Sequence, residues 1–225
     1  MLQNKLIFGI TLLLGFGLSG IKAQTEPAVK DADGNVYKTV TIGKQVWMAE
    51  NLKTTKYNDG TVIPLVTDSN VWANFETIGY CWYQNNNVKF KNPYGALYNW
   101  RTVSTGKLCP TGWHVPANTD WTILINYLGD STIAGGKLKE SGTKHWSNPN
   151  TGATNVTGFT ALPGGARNFM GSFSGIGEQG YWWSATEINE GTAWCLIIYY
   201  NASLAVKSNL LVYKTMGLSV RCVKD

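Results

Sequence analysis

Gly158-Phe-Thr-Ala-Leu-Pro-Gly-Gly165-Ala-Arg167 leads into Gly180-Tyr-Trp-Trp-Ser-Ala-Thr186, and the chain closes on Gly217-Leu-Ser-Val-Arg-Cys222-Val-Lys-Asp225. Glycines punctuate short aromatic and β-branched runs, which reads as a small sheet with tight turns. No cluster of acid, base and nucleophile accompanies these runs. This stretch therefore speaks to architecture and not to chemistry.

Upstream, Asp31-Ala-Asp-Gly-Asn35 is a turn and Val36 to Ile42 alternates like a strand. Gly43-Lys44 turns the chain, and Gln45 to Met48 reads as the hairpin partner. Residues 51–64 look irregular, with Asn58-Asp59-Gly60 as a further turn signal. Ala96 to Val103 fits a short helix or a strand equally. The main helix spans about 118–129. Pro116 stops the preceding segment, Asn118 or Thr119 can cap, and Asp120 sits in the first turn, where it suits the helix dipole. Trp121, Leu124, Ile125 and Leu128 then form one apolar stripe, and Gly129 ends the helix. Ser131 to Glu140 reads as a second short helix, weakened by Gly135-Gly136.

The chain has 225 residues, with 10 Trp, 11 Tyr and 25 Gly but only 15% charged residues. Such a composition argues against disorder and for one loop-rich domain with a sizeable core. Residues 1–23 read as a secretory signal: Lys5 supplies the positive start, Leu6 to Leu18 the apolar stretch, and Ile21-Lys22-Ala23 the cleavage site. The apolar stretch is too short and too glycine-broken for a membrane span, so no stable span survives cleavage. Residues 24–30 then read as a short polar tail and 31–225 as a single domain. The expected place is secreted or cell-envelope. Loss of Lys5 and Lys22 with the leader lowers the formal charge from +5 to +3. The lysines left form no basic run, and no nucleic-acid partner is expected.

Cys81, Cys109, Cys195 and Cys222 permit two disulfides in three connectivities in an exported chain. No C-x-x-C occurs, which speaks against a zinc ribbon or thioredoxin-type site. Cys109–Cys222 is favoured, since it ties the segment before the main helix to the final strand.

Tyr37-Lys-Thr-Val-Thr-Ile-Gly-Lys-Gln-Val-Trp47-Met-Ala-Glu-Asn-Leu-Lys53, Tyr94-Gly-Ala-Leu-Tyr-Asn-Trp100, Leu108-Cys-Pro-Thr-Gly-Trp-His-Val-Pro116, Phe159-Thr-Ala-Leu-Pro-Gly-Gly165, Tyr181-Trp-Trp-Ser184 and Val220-Arg-Cys-Val-Lys-Asp225 resemble the Fibrobacter succinogenes major paralogous domain. That family is abundant in exported proteins of Bacteroidetes and Fibrobacteres. The family is similar in plan to the C-type-lectin-like and formylglycine-generating-enzyme-like folds. The resemblance implies an α+β fold: a twisted, mainly antiparallel sheet with one main helix and long loops. Cys195 departs from the family pattern, which leaves its pairing open.

His114 precedes the helix and His145 adjoins Trp146, with no Asp or Glu in the vicinity of His145 to support a triad. Cys195 and Cys222 are the only thiols close enough for formylglycine-type oxidation, and nothing nearby activates them. Asp31, Asp33 and Asn35 open like a calcium loop but lack the later Glu ligand, so they read as a turn. No catalytic residue, metal or cofactor is assigned. The aromatics offer the better case. Adjacent Trp182 and Trp183 on a strand must face opposite ways. With Asn168, Tyr181 and Trp194 they are expected to build a platform for a sugar ring or an apolar side chain. The expected role is a non-catalytic secreted or cell-surface binding domain for a glycan or a cell-surface protein. The alternative is a structural or adhesive envelope protein that binds protein, with a formylglycine-generating-type oxidase more remote.

Overall fold

The computed structural model describes residues 24–225, and the leader reading lies outside the described residues. In chain order the elements are β1 (Gln24–Lys30), β2 (Val36–Ile42), β3 (Gln45–Met48), α1 (Ser69–Ala73), β4 (Tyr80–Cys81), α2 (Asn87–Tyr94), β5 (Leu97–Tyr98), α3 (Trp100–Val103) and β6 (Trp113–His114). They continue with α4 (Asn118–Tyr127), α5 (Ser131–Leu138), β7 (Gly164–Arg167), β8 (Phe173–Ile176), β9 (Gln179–Glu187), β10 (Ala193–Tyr199), β11 (Ala205–Ser208) and β12 (Val223–Lys224). This is a mixed α and β architecture dominated by strands. One sheet runs β1-β2-β3-β12-β6, a second β11-β10-β9-β7-β8, and β4-β5 form a small ribbon. Within the two larger sheets the pairings are antiparallel, except for β7 against β9 at Gly165 and Gly180.

The β2–β3 hairpin forms as its alternation predicts, with Thr39 opposite Met48 and Ile42 opposite Gln45. Residues 24–30 differ from the expected tail. They pair with β2 from Gln24 opposite Thr41 to Lys30 opposite Val36, and the register shifts between Glu26 and Val29. Pro27 hides the alternation, and the shift places it where a strand tolerates a missing N–H. Residues 96–103 prove to be both candidates in turn. β5 comes first, then Asn99 caps α3 by accepting from Thr102 N.

In α4 the cap is Ala117, not Asn118 or Thr119. The Ala117 amide donates to the Asp120 carboxylate at 2.8 Å, so the acid serves the helix start by a hydrogen bond as well as by its charge. Trp121, Leu124, Ile125 and Leu128 are all buried in one cluster with Trp47, Phe159 and Trp182. Burying each such side chain stabilises by about 1.5–3 kcal/mol. A second cluster holds Tyr37, Tyr98, Trp100 and Trp183 on the other side of β9 and β10, and a third gathers around Trp72 and Phe90. Cys109 and Cys222 form the expected disulfide, while Cys81 and Cys195 are buried free thiols.

Candidate functional site

The second sheet has a packed layer on both faces, and this decides the fate of the predicted platform. Trp182 and Trp183 do face opposite ways, but each is 0% exposed. Trp182 Nε1 donates to Asn51 Oδ1 at 2.8 Å, and Trp183 Nε1 donates to the Tyr98 carbonyl at 2.6 Å. Neither ring reaches a ligand at the surface, which corrects that part of the expected site. Tyr181 lies opposite Ile197 and shares the side of Trp183, whereas Leu196 lies opposite Trp182 and Trp194, two residues before Leu196, shares that side. Tyr181 and Trp194, both half-buried, therefore sit on opposite faces of the sheet. The Tyr181 hydroxyl donates to Gln179 Oε1 at 2.6 Å, and burial pushes its pKa up to about 12. Asn168 Oδ1 accepts from the amides of Met170 and Ser172, each at 2.9 Å, so it builds the β7–β8 turn. The five residues do not form one surface.

Much of the aromatic content packs against buried cations that nothing in the local pattern signals. Arg221 donates to Asn51 Oδ1 and to the carbonyls of Phe159 and Thr160, with its guanidinium 4.1 Å from the Phe159 ring centroid. Burial lowers its pKa to about 9. Arg167 donates to the carbonyls of Val66, Thr67 and Gly171 and lies over Trp72 at 4.4 Å. Lys139 Nζ donates to the carbonyls of Thr151, Tyr199 and Ala202 at 2.9–3.0 Å, and burial lowers its pKa to about 8. Arg221 and Lys139 each tie three segments together, Arg167 ties its own turn to Val66 and Thr67, and none faces an open site.

The histidines do have acidic partners. His145 Nδ1 lies 2.8 Å from Glu140 Oε2, which corrects the expectation that no acid is near it. His114 lies between Asp225 Oδ1 at 2.6 Å and Asp120 Oδ2 at 3.3 Å. Among the described residues no serine, threonine or cysteine side chain bonds either imidazole. Burial pushes the thiols of Cys81 and Cys195 up to about 12, and Cys222 is bonded to Cys109. In the Asp31–Asn35 turn, Asp31 accepts from Asp33 N, Asn35 N, Asn35 Nδ2 and the Tyr37 hydroxyl, and Asp33 accepts from Thr54 and Thr55. Of the carboxylates that could have opened a calcium loop, Asp31 is used chiefly by the turn itself and Asp33 by the segment at Thr54 and Thr55.

The exposed aromatic surface begins one residue beyond Asn168. Phe169 packs against Tyr213 with ring centroids 4.9 Å apart and ring planes tilted by 60°, yet the two remain 44% and 36% exposed. Met170 beside them is 63% exposed. The backbone brings three segments to this end of the molecule. Tyr213 bridges Thr192, Lys214 N donates to the Gly191 carbonyl, and Arg167 exchanges both backbone bonds with Gly217. Leu210, Leu211 and Ile188 on these same segments are also exposed, and Leu211 adopts a left-handed φ of 57°. A non-glycine residue in that region costs backbone energy and marks a site worth interpreting. The polar side chains nearby are used internally. Asn189 Oδ1 accepts from Gly191 N and Thr192 N, and Glu187 pairs with Lys214 at 3.1 Å. Phe169 adjoins Asn168, which the sequence singles out; Tyr213 is distant in sequence, and only folding brings it there.

The family model described as the Fibrobacter succinogenes major domain matches residues 40–224, and the chain belongs to that family. No curated protein and no solved structure matches the chain.

Proposed function

We propose that this member of the Fibrobacter succinogenes major domain family is a non-catalytic binding domain of the cell exterior, lectin-like in plan. Its contact surface is the patch of Phe169, Met170 and Tyr213. The observation that carries this reading is a tilted aromatic pair in contact yet left open to water among further exposed apolar side chains. Exposed apolar area of this kind marks interaction sites. The disulfide and the leader reading support an exterior location. The chemistry of the patch favours a protein partner. A sugar needs hydrogen-bond groups around the ring it stacks on, and Asn168, Asn189 and Glu187 are already engaged. Glycan binding stays as the second reading, because an open aromatic pair also suits a sugar face.

The test places a photo-crosslinking residue at position 170 in the producing cells. A defined protein adduct that disappears in Phe169→Ala and in Tyr213→Ala is the expected result. Adducts that survive both changes, or none at all, would sink the proposal. Binding to a glycan array, run with and without chelator and lost in the same variants, would instead establish the second reading.

A further inference from the structure

We propose that the groove beside β11 receives an extended peptide bearing a carboxylate, which adds as a strand to the open edge of the second sheet. β11 stands at the end of the order β11-β10-β9-β7-β8 and pairs only with β10, from Cys195 opposite Ser208 to Ile198 opposite Ala205. Among the described residues no backbone hydrogen bond joins 205–208 to any segment other than β10. In an antiparallel pair, backbone groups of an edge strand alternate between facing the partner and facing away. The groups that face away form a template for another chain.

The neighbouring helix α5 lies beside β11 but takes up none of its backbone hydrogen-bonding groups. α5 comes closest at the turn before β11, where Gly136 N donates to the Ser203 carbonyl and Gly135 lies against Leu204. A groove of about 450 Å³ then runs between α4, the start of α5 and β11, lined among others by Thr122, Ile125, Asn126, Asp130 and Lys207. Its size suits the side chains that a bound strand directs toward α4.

Lys207 sets the chemistry of the occupant. It is half-buried on the α4 side of β11, and its Nζ donates to Thr122 Oγ1 at 2.5 Å. Among the described residues it makes no ion pair, unlike Lys56, Lys107 and Lys214. An ammonium with one hydroxyl partner and spare donors fits a carboxylate from the peptide. Asp130 lines the same groove but forms no ion pair with Lys207. Its Oδ1 accepts from Thr132 N and Thr132 Oγ1 at the start of α5. The open edge thus supplies main-chain bonds, while the groove and Lys207 supply selectivity. None of this depends on the aromatic patch.

The test pans a random dodecapeptide phage library on the purified exported protein. Enriched peptides are then followed by hydrogen exchange and by titration against variants. The expected result is a recurrent Asp or Glu in the peptides and slowed exchange of the amides at 205–208. Lys207→Glu weakens binding about tenfold or more, and Lys207→Arg retains it. Near-ultraviolet circular dichroism checks that Lys207→Glu is folded, and Lys207→Gln serves if it is not. Failure to enrich peptides, or unchanged exchange at 205–208, overturns the proposal. Peptides that lose binding in Phe169→Ala but not in Lys207→Glu also overturn it, while leaving the patch reading intact.

Discussion

Lys139 shows how far burial sets the behaviour of single residues. Its side chain is 0% exposed and its ammonium meets three carbonyls with no carboxylate among those bonds. Burial lowers its pKa from 10.5 to about 8. Between those two values the unfolded chain binds a proton that the folded chain has released. Stability on this account therefore rises as pH rises from about 8 towards 10.5. Urea unfolding at steps from about pH 8 to 9, below the range where the raised thiols of Cys81 and Cys195 act in the opposite sense, should show the rise, and Lys139→Met should flatten it. An unchanged slope in the variant would mean that the ammonium is solvated. Trp182 and Trp183 give a second prediction. Each is fully buried with its indole N–H bonded, so Trp182→Ala and Trp183→Ala should each cost about 3–5 kcal/mol of stability. Chemical denaturation measures this, and a cost under about 1 kcal/mol for either would contradict the core role. Both indoles were readable as aromatics on opposite faces. Their burial was not, because it depends on what lies above each face.

At the scale of elements, legibility followed periodicity. The α4 stripe at Trp121, Leu124, Ile125 and Leu128 could be read because a helix repeats its buried face within seven residues. The β2–β3 hairpin could be read from alternation around Gly43-Lys44. β1 could not, since its pattern is broken at Pro27 and its partner supplies the order. The glycine pair of α5 reverses its local meaning. Alone, Gly135-Gly136 weakens a helix by roughly 0.5–1 kcal/mol per residue. In the fold, a Cβ on Gly135 would lie 2.1 Å from the Leu204 carbonyl oxygen, and one on Gly136 would lie 2.4 Å from the Gly152 carbonyl oxygen. Glycine is what lets α5 settle onto both segments. Gly135→Ala should accordingly lose about 1–3 kcal/mol net, against its gain in helix propensity. A stabilised variant in thermal denaturation would show that the approach is looser.

At the scale of the whole molecule, the Cys109–Cys222 bridge links positions 113 apart and joins the entry of β6 to the start of β12. Its removal by Cys109→Ala with Cys222→Ala should cost about 2–5 kcal/mol, read from the denaturation midpoint under non-reducing conditions. A midpoint equal to that of the parent would show that packing alone holds the closing strand. The sequence by itself determined the family, the main helix and its buried stripe, the first hairpin and the favoured cysteine pair. Those features rest on local period, turn chemistry and motif order, and each is complete within a few residues or a few motifs. Only the tertiary structure decided which aromatics are covered. Trp183 is satisfied by Tyr98, Trp182 by Asn51, and Tyr213 becomes a surface neighbour of Phe169. A strand's alternation states that two faces exist; whether a second layer packs on each is settled by segments some 45 to 130 residues away.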